Sequence, residues 1–215
     1  MVCSAEATER PTWRGWMHAA AFVVSIPASI LLILLADGAS ERTSAAIYGA
    51  TLMAMFGLSA AYHRLARTEV ARRRMQKLDH VGIYLLIAGT YVPFAIVVLP
   101  RAWGLPLLAV VVSAAVFGAI MKVAAFDKIS WLSYALYPIM GWAAVATAPV
   151  LVDSLTTFQL TFMVLGGLLY SIGIPVLFLQ RPNPWPQTFG YHEIWHVFVT
   201  VAAAMHFVAV ASIVA

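Results

Sequence analysis

Five side chains in this sequence have the types and spacing for metal-assisted hydrolysis: His63, His192, His196, Asp79 and Ser59. His192 and His196 stand at i and i+4, which on a helix puts both imidazoles on one face about 6 Å apart. That spacing suits two ligands on one metal. A third imidazole, from His63, would complete a three-nitrogen set with one tetrahedral position left for water, the arrangement of catalytic zinc. Ser59 lies one turn before His63 on the same face, where its hydroxyl could orient the ring or the coordinated water. Asp79 is placed to be the base that takes a proton from that water. The competing reading of the three histidines is a hydrogen-bonded helix-packing cluster.

The elements that must position these residues are membrane helices. Of 215 residues, 62% are hydrophobic and 10% charged, against about 25% charged in a soluble domain. A hydrocarbon core about 30 Å thick needs about 20 apolar residues per helix. That ruler gives seven spans, roughly Trp16–Ala36, Ser44–His63, Leu78–Leu99, Gly104–Met121, Ile129–Val150, Thr157–Leu179 and His192–Ala215. The expected fold is therefore an all-α integral membrane protein, a seven-helix bundle forming a single domain over residues 1–215. Pro27, Pro93, Pro138 and Pro175 fall inside spans and predict kinks rather than breaks. Trp13, Trp16, Trp103, Trp131 and Trp185 lie near span ends, where an aromatic belt places them. The first apolar span follows no signal-peptide pattern and is expected to stay in the mature protein.

Basic residues set the orientation. Eleven of the 13 lysines and arginines lie in the amino-terminal segment or in the second, fourth and sixth connections, six of them between Arg64 and Lys77. Only Arg42 and Arg101 lie on the other side. The positive-inside rule then predicts a cytoplasmic amino terminus and Ala215 outside, in a multi-pass protein of the plasma (inner) membrane. His63 closes a helix running inward, while Asp79 and the His192/His196 pair open helices running outward. Residues up to 133 positions apart thus meet at one depth near the cytoplasmic face. Ionisable groups at that depth are costly and usually mark a functional site. His18, His80 and His206 read as interfacial residues. The charge explains topology, so the basic pI near 9.4 does not call for a nucleic-acid partner, and the single cysteine, Cys3, excludes an intramolecular disulfide.

The strings Ser59-Ala60-Ala61-Tyr62-His63, Leu78-Asp79-His80 with Gly82 through Pro93, and His192-Glu193-Ile194-Trp195-His196 resemble the hemolysin III proteins. These are the bacterial branch of the progestin and adiponectin receptor (PAQR) family, in a superfamily (CREST) that includes alkaline ceramidases. The resemblance implies zinc on His63, His192 and His196, supported by Ser59 and Asp79. It also implies hydrolysis of a lipid amide of the ceramide type, with that amide or a free fatty acid as the partner in an intramembrane pocket. The family's first motif sets a glutamate and an asparagine ahead of a histidine. His18 stands at the histidine, but Thr12 through Met17 hold neither partner.

Other functions fit less well. His192-Glu193-Ile194-Trp195-His196 reads literally as HExxH, the zinc-protease motif with glutamate as base. Glu193 is about 100° around the helix from His192, so it could face the pocket or the headgroups. The one later ligand candidate, His206, is about 15 Å further along the helix, too far to share an ion. A coupled transporter is disfavoured because no carboxylate lies near mid-bilayer, and no lysine in the last helix could carry retinal. Nothing resembles a secreted pore former. A non-catalytic receptor or lipid-homeostasis regulator retaining the zinc stays open, because it needs the same pocket.

Overall fold

The computed structural model describes residues 10–126 and 130–215; Cys3 and the expected start of the fifth span at Ile129 lie outside them. The helices are α1 (Trp16–Leu35), α2 (Ala39–Leu65), α3 (Glu69–Pro93), α4 (Arg101–Ala124), α5 (Ser130–Gly141), α6 (Ala148–Ser154), α7 (Thr157–Leu179) and α8 (Tyr191–Val214). A π-helical turn, Phe94–Val98, extends α3, and a 3-10 turn, Ala143–Thr147, joins α5 to α6. Among the described residues, seven helical spans are long and apolar enough to cross a membrane, with α5, the 3-10 turn and α6 together forming the fifth. The outward faces carry large apolar residues such as Val23, Leu34, Val110 and Phe178, as a lipid-facing surface requires.

The third span begins nine residues before its expected start. The apolar ruler places the start at Leu78, but the helix begins at Glu69, with the Thr68 side chain accepting from the Ala71 N–H at 3.2 Å. Glu, Ala, Arg, Met, Gln and Lys are all good helix formers. Once capped, the basic stretch therefore continues the helix beyond the hydrocarbon, and only Ala66–Thr68 connects α2 to α3.

The fifth span departs further. Pro138 was expected to kink one helix, yet the helix stops at Gly141 and resumes at Ala148, with Pro149 in its first turn. Two prolines and a glycine within twelve residues each weaken the α-helical ladder. Tyr91 on α3 satisfies the groups this frees. Its hydroxyl donates to the Met140 carbonyl at 2.7 Å and accepts from the Ala144 N–H at 3.0 Å. Tyr84, two turns earlier, donates to the Ser133 carbonyl at 2.5 Å and packs on Gly118 of α4, where any Cβ would collide with its ring. A buried group left unpaired costs about 1–3 kcal/mol. Tyr91→Phe should therefore lose about 2 kcal/mol by thermal unfolding in detergent, and a loss below about 0.5 kcal/mol would show that the break needs no such support.

Tyr48, Leu52, Met55 and Phe56 of α2, Tyr84 and Tyr91 of α3, and Val199, Ala203 and Val210 of α8 are buried in the centre. Leu107, Val111 and Ala115 of α4 join them, so the ends that carry the candidate ligands, on α2 and α8, belong to helices of the core.

Candidate metal centre

α2 ends where α8 begins, at the end of the bundle that holds most of the arginines. The antiparallel run of the two helices sets His63 in the last turn of α2 against His192 and His196 in the first turns of α8. Their three ligand nitrogens lie within 4.8 Å of one another. The Nε2 atoms of His63 and His192 are 3.2 Å apart. Two imidazoles bound to one zinc at about 2.0–2.1 Å in tetrahedral geometry have nitrogens about 3.3 Å apart. The donor types, their number and this separation fit a divalent metal of the zinc class. His63 and His196 are buried and His192 is half-buried, so the set is closed to bulk water on most sides.

Around this set lie the other expected residues. Ser59 is buried, with its Oγ 2.8 Å from His18 Nδ1, and the half-buried Asp79 side chain approaches the same hydroxyl from α3. Asp79 thus lies on the Ser59 side and outside the three-nitrogen set.

His18 overturns its expected interfacial placement. It is 3% exposed, and its ring stacks on that of His196 with centroids 3.8 Å apart and planes at 6°. Phe56 meets the same ring in an edge-type contact with centroids 5.2 Å apart. Its Nε2 is buried with no hydrogen-bond partner among the described residues, an orphaned donor or acceptor that a ligand or water could satisfy. The contacts that bury His18 come from α2 and α8, which local sequence cannot show. The only signal was its match to the histidine of the first family motif. His80 is held apart by Tyr137, whose hydroxyl is 3.3 Å from Nδ1 and donates to the His80 carbonyl at 3.2 Å. His206 pairs with the Met163 carbonyl at 3.1 Å.

Glu193 resolves the HExxH reading. Its side chain is 1% exposed and both oxygens are engaged: Oε1 accepts from Arg14 Nε at 2.5 Å, and Oε2 accepts from the Gly190 N–H at 2.8 Å. A carboxylate capping its own helix and paired with an arginine is not free to serve as a general base at the histidines. Sequence reasoning missed this role. The glutamate three residues after Gly190 is the spacing of a helix-capping box, and that was the available signal.

Comparison with known proteins gives the family. The chain is 34% identical to Hemolysin-3 of Bacillus cereus over 193 residues, which is 88% of this chain and 85% of that protein. It is 30% identical to the human monocyte to macrophage differentiation factor over 205 residues, covering 91% of this chain and 80% of the relative. It is 25% identical to the Drosophila melanogaster adiponectin receptor protein over 232 residues, covering 89% of this chain and 48% of that longer protein. The model of the family described as Haemolysin-III related matches residues 7–207, and the chain belongs to that family of membrane proteins.

Proposed function

We propose that this protein is a zinc-dependent hydrolase of a membrane lipid amide. The observation that carries the reading is the convergence of His63, His192 and His196, with Ser59 and Asp79 at its edge. His63, His192 and His196 would hold the ion. A zinc ion held there supplies Lewis acidity toward a carbonyl and brings the pKa of a coordinated water near 7. Asp79 takes the proton of the attacking water and returns it to the amide nitrogen as the carbon–nitrogen bond breaks, leaving a carboxylic acid and an amine, between which the acid proton then passes to give carboxylate and ammonium. Ser59 fixes the Asp79 carboxyl and the His18 ring. His18, stacked on His196, holds that ligand's plane.

An apolar cavity of about 310 Å³, lined by residues including Tyr91, Trp142, Leu160, Met163 and His206, supports a lipid ligand. His206 is ten residues beyond His196 on α8, about 15 Å at 1.5 Å per residue. An acyl chain with its head at the histidines would span that distance. The test is release of free fatty acid from a ceramide-type amide by detergent-purified protein, lost on chelation and restored by zinc. Zinc-loaded protein that releases none would favour a second reading, a non-catalytic receptor, which the name of the Drosophila relative supports.

The basic asymmetry further supports a site facing the cytoplasm across the plasma membrane, with the amino terminus inside. In a Cys3→Ser background, a cysteine replacing the exposed Val70 should resist an impermeant maleimide in intact cells, whereas a cysteine appended after Ala215 should react. The reverse labelling would move the site to the outer face.

A further inference from the structure

We propose that residues 10–15 form a strap that positions the metal ligands by tying the end of α2 to the start of α8. The inference rests on the reading of the three histidines as a metal centre. His63 and His192 are separated by 129 positions and share no connecting loop. In lipid no hydrophobic force sets how two helices sit against each other, so packing and polar ties must do so.

The strap supplies such ties at both ligand-bearing ends. Arg10 donates to the His63 carbonyl at 2.8 Å and reaches the Tyr62 carbonyl at 3.5 Å, meeting the unpaired carbonyls and negative dipole end of the last turn. Gly15 lies directly against His63. Its φ is +80°, and a Cβ added there would come 2.5 Å from His63 Cβ, so glycine is needed for both the backbone and the approach. On the α8 side, Arg14 pairs with Glu193, which sits between His192 and His196 and also caps Gly190. Between these anchors the strap runs beside the connection into α8. The Thr12 N–H donates to the Gln187 carbonyl at 3.0 Å and the Trp13 N–H to the Thr188 carbonyl at 3.1 Å. Arg64, just after His63, lies 4.2 Å over the Trp16 ring and closes the same corner.

Each contact fixes a ligand through its backbone or its helical turn, and none occupies a ligand nitrogen. Arg14, Gly15 and Glu193 are therefore positioning residues. Removing a partner that orients a metal ligand typically costs 10–100-fold in metal affinity.

Two variants separate positioning from a general need for the buried ion pair. Arg14→Met/Glu193→Gln removes the charge pair together, leaving no uncompensated buried charge, while glutamine can still cap Gly190. Gly15→Ala disturbs the His63 side and changes no charge. The measurements are the rate at which zinc passes to a chelator, thermal unfolding, and hydrogen exchange at the amides of Thr12 and Trp13 in metal-free protein. In wild type both amides should be protected. In both variants zinc should leave about 10–100-fold faster, and for the double variant this should occur at near wild-type unfolding temperature with the two amides unprotected. Arg14→Lys should restore part of the retention. Zinc loss within about twofold of wild type in both variants would overturn the strap while leaving the metal centre intact. Wild-type protein with protected amides that takes up no zinc would instead overturn the metal reading, and with it any positioning role.

Discussion

Asp79→Asn should lower hydrolysis of a ceramide-type amide by about 10²–10⁴-fold, the usual cost of removing a general base, while zinc content stays near wild type. Asparagine keeps the size and polarity of the side chain, but it cannot take a proton at neutral pH. The expected loss is thus in turnover rather than in metal binding. Ser59→Ala should act in the same direction and more weakly, because it removes a contact to Asp79 and the 2.8 Å contact to His18 without removing the base. If Asp79→Asn turned over within about threefold of wild type, a difference below 1 kcal/mol in the barrier, Asp79 would not be the base. With Glu193 capping α8 and paired to Arg14, no other acidic residue has been placed at the cluster, so the receptor reading would then be the better one.

His196→Ala should weaken zinc binding by more than about 10²-fold. Loss of a direct ligand exceeds the 10–100-fold typical of an orienting partner. The substitution also removes the ring on which His18 stacks, so a second side chain loses its place. His80→Ala is the control, because His80 is held by Tyr137 outside the three-histidine set. Competition with a chromophoric chelator gives both affinities. Equal affinities for the two variants would remove His196 from the ligand set.

The spans were legible because membrane insertion leaves a long, simple apolar signature, and helix direction put His63, His192 and His196 at one depth, though not side by side. Features decided by backbone ties or by non-local contacts were not legible. Hydropathy ends the third span at Leu78, whereas the helix continues back to Glu69 because its polar residues also favour helix. The fifth span reads as one apolar run, although its backbone breaks at Gly141 and is repaired by Tyr91 from another helix. The depth of His18 is equally consistent with an interface and with a core, and its contacts with Phe56, Ser59 and His196 decide for the core. Glu193, about 100° from His192, could have faced either way. The partner that fixes it, Arg14, lies 179 positions away, in a segment whose arginines read as sequence only as a topology signal.

The most direct measurement is elemental analysis of the wild-type protein, purified in mild detergent without added metal, beside the His63→Ala/His192→Ala double variant. About one zinc per wild-type chain is predicted, following the three-ligand pattern of catalytic sites, removed by a strong chelator and regained on adding zinc. The double variant, left with a single ligand, should hold almost none. Full metal occupancy in that variant, or a wild-type protein that stays metal-free when zinc is supplied, would contradict the account.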